Sequence, residues 1–337
     1  MGNSIGYLGE RIITFAATVI ISVTVVFFAP RLVPGDPLDA IMSNLAGVGG
    51  TSGISAELEA DFRQRFGLDK SLGEQYLTYI GDLAQGDLGY SIPTYPTRVS
   101  TLLGNAIPWT IGLLGITTLI SWILGSLLGA MVGWSGGRSP VLRAIVPFAL
   151  LLYTTPYFIL AILLIYLFTS TWDIFPLPGG AYSVGADPGW TWDFIWDVIQ
   201  HGALPGLSII LVSLGWWFLS MRSLIIAEQG QDHILWAEAK GLSRRRIFWG
   251  YALRNALLPQ TTGLALSLGH IVGGALITEV VFAYPGLGYL IYNAIRESDF
   301  PVVQGAVLLL VVTVAGANLI LDLLNPLIDP RIRAVRS

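Results

Sequence analysis

Residues 221–259 read MRSLIIAEQGQDHILWAEAKGLSRRRIFWGYALRNALLP and hold the densest positive charge in the chain, between two strongly apolar segments. Basic connections between apolar runs stay on the cytoplasmic face of a membrane. The composition agrees: mean hydropathy is +0.67, and of 337 residues 53% are apolar and 12% charged, too little polar surface to cover a soluble globule. Apolar runs of roughly 20 residues match a hydrocarbon core about 30 Å thick, where a chain must satisfy its own backbone. The runs are continuous rather than alternating, which argues for helices against a β-barrel.

The expected fold is an all-α membrane protein of six spans, near 12–30, 106–133, 144–170, 203–221, 260–283 and 302–324. The first span lacks an A-x-A-like cleavage site after it and reads as a retained anchor. Arg138 and Arg143 lie between spans two and three, and Arg331, Arg333 and Arg336 follow span six. Residues 171–202 carry Asp173, Asp187, Asp193 and Asp197 with no lysine or arginine. Both termini and residues 222–259 are therefore expected in the cytoplasm. Two regions follow: residues 1–105, an anchor with a long external segment, and residues 106–337, a core carrying the basic loop.

In the external segment, GVGGTSG (47–53) reads as a flexible insertion. Ser55 is placed to cap a helix with Leu58, Phe62 and Phe66 on one face. A second helix, from Glu74 to about Leu83, puts Tyr76, Tyr79, Ile80 and Leu83 on one side. Trp172, Trp190, Trp192 and Trp196 form either an interfacial aromatic belt or a stacking surface for a sugar ring or aromatic peptide side chain.

No catalytic constellation is found. G-x-x-x-x-G-K-[ST], G-x-S-x-G and H-E-x-x-H are all absent, so ATP phosphates have no P-loop cradle in this chain. There is no cysteine, and His201, His233 and His270 are too widely spaced for a metal cluster. Ionisable groups inside apolar spans are costly, at least about 2.5 kcal/mol each, and so informative. Glu279 either faces a water-filled path or pairs with a neighbouring helix; Asn318 is placed to hydrogen-bond between helices, and Asp322 to pair or snorkel at the inner end of span six. Gly112, Gly115, Gly125, Gly129, Gly263, Gly269, Gly273 and Gly274 permit close helix approach.

Within the basic loop, Asp232 is placed to cap a short helix ending at Gly241, which suits a left-handed turn. Ser243 is placed to cap a second helix, and Pro259 to mark the start of span five. Helix, glycine turn, helix makes a knob that fits a groove on a soluble partner, or an element resting on anionic lipid.

Residues 221–259 resemble the cytoplasmic EAA-type loop of bacterial ABC importer permeases, in the dipeptide/oligopeptide/nickel variant where A-K-G-L-S and A-L-R-N-A-L-L-P are typical. The resemblance extends through PGDP (34–37), RFGLD (65–69), QYLTYIGDLAQGDLGYS (75–91), TEVVFAYPGLG (278–288), DFPVVQG (299–305) and DPRIR (329–333). It implies a permease subunit of the prokaryotic inner membrane, paired with a second permease, two cytoplasmic ATPases that bind ATP and Mg, and an extracytoplasmic substrate-binding protein. It also implies a coupling helix with ATPase contacts at Leu235, Trp236, Ala237, Glu238, Ala239, Lys240 and Gly241, peptides or oligosaccharides as cargo, and no cofactor in this chain. Six positions before Gly241, where such loops often have glutamate, this chain has Leu235. The translocation path is expected at Glu279 and Asn318, and the competing reading is a stand-alone ion-coupled carrier with Glu279 as its titrating group. An intramembrane enzyme is disfavoured by the missing nucleophile and metal constellations.

Overall fold

The computed structural model describes residues 2–32, 69–136, 140–186, 188–269 and 276–328, whose regular elements are all helices, with no strand among them. Helices α1 (Gly2–Phe28), α2 (Leu72–Ala84), α3 (Val99–Ser135), α4 (Pro140–Thr154), α5 (Tyr157–Leu164) and α6 (Trp192–Glu228) come first. They are followed by α7 (Asp232–Ala239), α8 (Arg244–Ile247), α9 (Leu253–Gly269), α10 (Leu276–Val281), α11 (Leu287–Arg296) and α12 (Phe300–Ile328). Among the described residues, Gly9–Phe28, Val99–Ser135, Trp192–Glu228 and Phe300–Ile320 are long and apolar enough to cross a membrane. The expected all-α membrane fold is what the structure shows. The expected fifth span falls on α9 and α10, with 270–275 outside the described residues, as are the Ser55 helix, the 47–53 insertion, His270 and 329–337.

Span three differs from expectation. It is not one straight helix: Ala144–Thr154 and Tyr157–Thr171 meet at 102°. Pro156 stands in extended conformation between them and cannot donate the amide that a continuous helix needs.

The chain forms two compact units, Met1–Pro108 with Tyr289–Ser337, and Trp109–Gly288. The sequence boundary drawn at 105/106 lies inside α3, and the C-terminal residues group with the N-terminal ones. In the first unit α1 packs along α12. Ser71 and Glu74 form a reciprocal capping box that starts α2, with Ser71 N–H donating to Glu74 Oε2 at 3.0 Å. Tyr76, Tyr79, Ile80 and Leu83 are half-buried, as their spacing predicts, and so is Gln75. Tyr76 bonds Thr24 at 2.8 Å, and Phe27 meets both tyrosine rings, so α2 is fastened to the end of α1. Buried Asp299 accepts from Ser91 Oγ at 2.5 Å and from the Ile92 amide at 3.3 Å, joining the hairpin after α2 to the start of α12.

In the second unit α3 and α6, each 37 residues and so about 55 Å long, pack through small residues. A Cβ added to Gly125, Gly129 or Gly133 of α3 would stand 2.6, 2.3 or 2.9 Å from α6 atoms. Four-residue spacing lines these glycines along one face, while Ile116, Leu119, Ile123 and Leu127 point outward. By contrast, Gly112 and Gly115 have nothing within 4 Å of such a Cβ.

Candidate functional site

The basic loop folds as a knob within the second unit. Helix α7 starts at Asp232, but its cap is Gln231, whose backbone is extended; Asp232 lies in the first turn instead, where its charge favours the helix N-terminus. The other end closes as the sequence predicts. Gly241 has φ +72°, its amide donates to Glu238 O at 2.8 Å, and the Leu242 amide donates to Ala237 O at 3.3 Å. These two bonds satisfy carbonyls that a helix end leaves open, in a left-handed geometry that costs glycine least.

Ser243 precedes α8 in extended conformation but makes no side-chain cap bond. Helix α8 runs through a π-helical segment, Phe248–Ala252, into α9, and Pro259 lies inside α9 rather than at its start. The wide turn absorbs a register change that periodicity alone does not announce.

Ile234 and Ala237 are buried against Met221, Ile225, Ile247, Phe248, Ala252 and Leu253. One residue of the expected contact set is thereby corrected: Ala237 is 3% exposed and faces its own chain, because its i,i+3 relation to Ile234 puts both on the inward face. Leu235, Trp236, Glu238, Ala239, Lys240 and Gly241 are exposed, with Trp236 at 68%. A large indole and an isobutyl group held outward on a fixed helix are suited to fill a pocket on another protein.

The knob is tied to α3 from both sides. Gln229 Nε2 donates to Gly133 O at 2.9 Å, and Arg244 Nη2 to Trp134 O at 2.8 Å, with the guanidinium 5.5 Å from the Trp134 ring centroid. Both carbonyls belong to the last turn of α3, where acceptors lack helical partners and a cation is favoured. His233 adds a contact of 3.0 Å to Glu228 and another of 3.0 Å to Asn255. Arg244→Ala is expected to loosen that last turn, read as faster amide hydrogen exchange at Val132–Ser135; Arg245→Ala, at an exposed neighbour, leaves the exchange unchanged.

Glu279 is only 1% exposed. Thr110 Oγ1 donates to its Oε1 at 2.7 Å, the Gly288 amide donates to its Oε2 at 2.6 Å, and Thr110 accepts the Leu287 amide at 2.8 Å. These bonds give the helix-pairing arrangement, one of its two expected roles. Asn318 belongs to the other unit and is exposed on α12, beside a cavity of about 410 Å³ lined by Arg11, Thr14, Thr18 and Ser22 of α1. Trp190 is 98% exposed, and Trp192 stacks on Trp196 with centroids 6.4 Å apart, which suits a belt and a stacking surface equally. Thr110, Trp134 and Gln229 were not singled out by sequence reasoning: lone residues of ordinary type, they carry no motif, and their partners lie far along the chain.

Long apolar helices with a knob projecting between two of them define an all-α membrane permease. Residues 123–334 match the family described as binding-protein-dependent transport system inner membrane component, and the chain belongs to that family. It is 32% identical to the di/tripeptide transport system permease protein DppB of Pseudomonas aeruginosa (strain UCBPP-PA14), over 98% of each chain. To the dipeptide transport system permease protein DppB of Escherichia coli (strain K12) it is 33% identical, over 93% of this chain and 94% of the other. A probable D,D-dipeptide transport system permease protein, DdpB of the same strain, is 33% identical over 91% and 92%. The chain is thus a multi-pass inner-membrane permease of an ABC importer and not itself an enzyme.

Proposed function

We propose that this permease imports small peptides, forming the translocation path with a second, similar permease and receiving cargo from an extracytoplasmic binding protein. The peptide transport named for its relatives favours peptides over oligosaccharides. Two ATPase subunits holding ATP and Mg dock on the knob in the cytoplasm, where both termini lie. Their closure moves the knob and opens the spans outward; hydrolysis resets them. Such a shift needs nucleotide to bind the two states unequally.

The observation that carries this reading is the knob itself, which presents Leu235, Trp236, Glu238, Ala239, Lys240 and Gly241 to solvent while Ile234 and Ala237 anchor it. The lipid alternative is less well supported, since the acidic Glu238, which anionic lipid would repel, is among the exposed residues of α7. The ion-coupled carrier needs Glu279 to titrate in a path, but its carboxylate is buried and bonded.

Gly241→Pro tests the coupling. Proline holds φ near about −65°, against +72° here, and removes the amide bonded to Glu238 O. Peptide uptake by the reconstituted transporter should fall at least about tenfold, equivalent to 1.4 kcal/mol, while membrane insertion is retained. Normal uptake would sink the assignment.

A further inference from the structure

The first unit contains a cavity of about 520 Å³ between the end of α1, α2, the hairpin after it and the start of α12. Two of its lining groups are incompletely satisfied among the described residues: Arg31 has only neutral acceptors, and Tyr79 has no hydrogen-bond partner. Arg31 is half-buried, its guanidinium carbon 3.6 Å from the Phe27 ring centroid. Its Nε and Nη2 donate to Gln75 Oε1 at 3.2 and 3.1 Å, and its Nη1 to Phe27 O at 2.7 Å. Those acceptors are neutral, and among the described residues no carboxylate pairs with this cation. A guanidinium carries five N–H donors, so these three bonds fix the group without exhausting it. The Tyr79 hydroxyl, in the same cavity, is buried with no hydrogen-bond partner among the described residues. Burial holds the Arg31 pKa below its ordinary value and the Tyr79 pKa above its own, as expected of groups removed from water.

A partly desolvated cation without a counter-ion and a buried hydroxyl without an acceptor each cost free energy. One carboxylate relieves both, by accepting charge-assisted bonds from the guanidinium and the phenol proton. The cavity also carries the carboxylate of Asp82, with that of Asp87 held 3.7 Å from Arg98 and the Lys70 ammonium at its lining, and aromatic walls in Tyr90 and Tyr95. Its volume lies within the roughly 300–1,000 Å³ usual for small-molecule sites.

We infer that this cavity is an accessory binding site of the permease for a free dipeptide or tripeptide, with the peptide carboxylate on Arg31 and Tyr79 and its ammonium group towards Asp82. The inference rests on the peptide-import reading above. Peptide released by the binding protein would be held here by its two termini rather than by its side chains.

The test uses the assembled transporter in lipid nanodiscs without binding protein, titrated calorimetrically with dialanine, dialanine amide and N-acetyl-dialanine. Dialanine should bind, and each blocked form should bind at least tenfold more weakly. Arg31→Ala should abolish dialanine binding. Tyr79→Phe, which keeps the ring against Phe27 and removes only the hydroxyl, should weaken it several-fold without changing complex assembly. Absence of dialanine binding to the wild type, or equal binding of dialanine and its amide, would overturn the inference. So would wild-type affinity in both variants. Loss of binding-protein docking in Arg31→Ala, with no dialanine binding to the wild type, would assign the carboxylate to the binding protein and also overturn it. Peptide uptake by the complete transporter is measured in parallel: uptake without dialanine binding rejects this site alone, whereas absence of peptide uptake rejects the import reading.

Discussion

Replacing Gly129 with leucine is expected to prevent α3 and α6 from packing and to leave little folded permease. A Cβ at this position would lie 2.3 Å from Phe218 O and 3.1 Å from the Arg222 amide nitrogen. These are backbone atoms of a neighbouring helix, so no rotamer change can make room. Overpacking a well-filled site costs about 1–3 kcal/mol and sometimes more, and here the whole α3–α6 contact must open. Even Gly129→Ala should lower the detergent melting temperature measurably. Gly112→Ala and Gly115→Ala, on the same helix, should change stability by no more than about 0.5 kcal/mol, because a Cβ there meets nothing within 4 Å. Equal destabilisation at Gly112 and Gly129 would show that the close approach is not what holds the second unit together.

The same glycines show what could be read before folding. Their abundance was legible as permission for close packing, and the apolar runs and glycine turn at Gly241 were legible from length, composition and backbone preference. Which glycines are used was not. That depends on the facing helix, and Gly115 and Gly125 look alike until α6 is placed. Local capping errors have a similar origin: Gln231 and Asp232 compete for one position, and the winner depends on how Ile234 and Ala237 reach Met221 and Ile225. Pro156 bends span three at 102°, while Pro259 lies within α9. Both prolines follow apolar or threonine-rich residues, so only tertiary packing separates a break from a tolerated interior proline. In the first unit, Arg31 carries no motif, and the absence of a carboxylate beside it among the described residues is visible only once α2 has docked.

Glu279→Ala is expected to disorder the loop between α10 and α11 and to cost about 2–6 kcal/mol, from about 1–3 for each of the two buried donors left unsatisfied at Thr110 and Gly288. The loop is built around this carboxylate. A Cβ on Gly286 would come within 2.4 Å of it, and one on Gly288 within 2.5 Å of the Leu276 Cα. The glycines of the TEVVFAYPGLG segment therefore leave the space that the glutamate fills, and Gly286→Ala should reproduce much of the Glu279→Ala defect. Helix α3 carries both this contact, at Thr110, and the knob contact, at Trp134. At 1.5 Å per residue the two are about 36 Å apart on one helix. Glu279→Gln keeps one oxygen acceptor in nearly the same volume and should lose much less stability, read by thermal unfolding in detergent, and retain most uptake. If Glu279→Gln instead unfolds normally yet abolishes uptake, the carboxylate's charge is needed for transport itself. The pairing role formed in the structure would then be secondary to a place in the path.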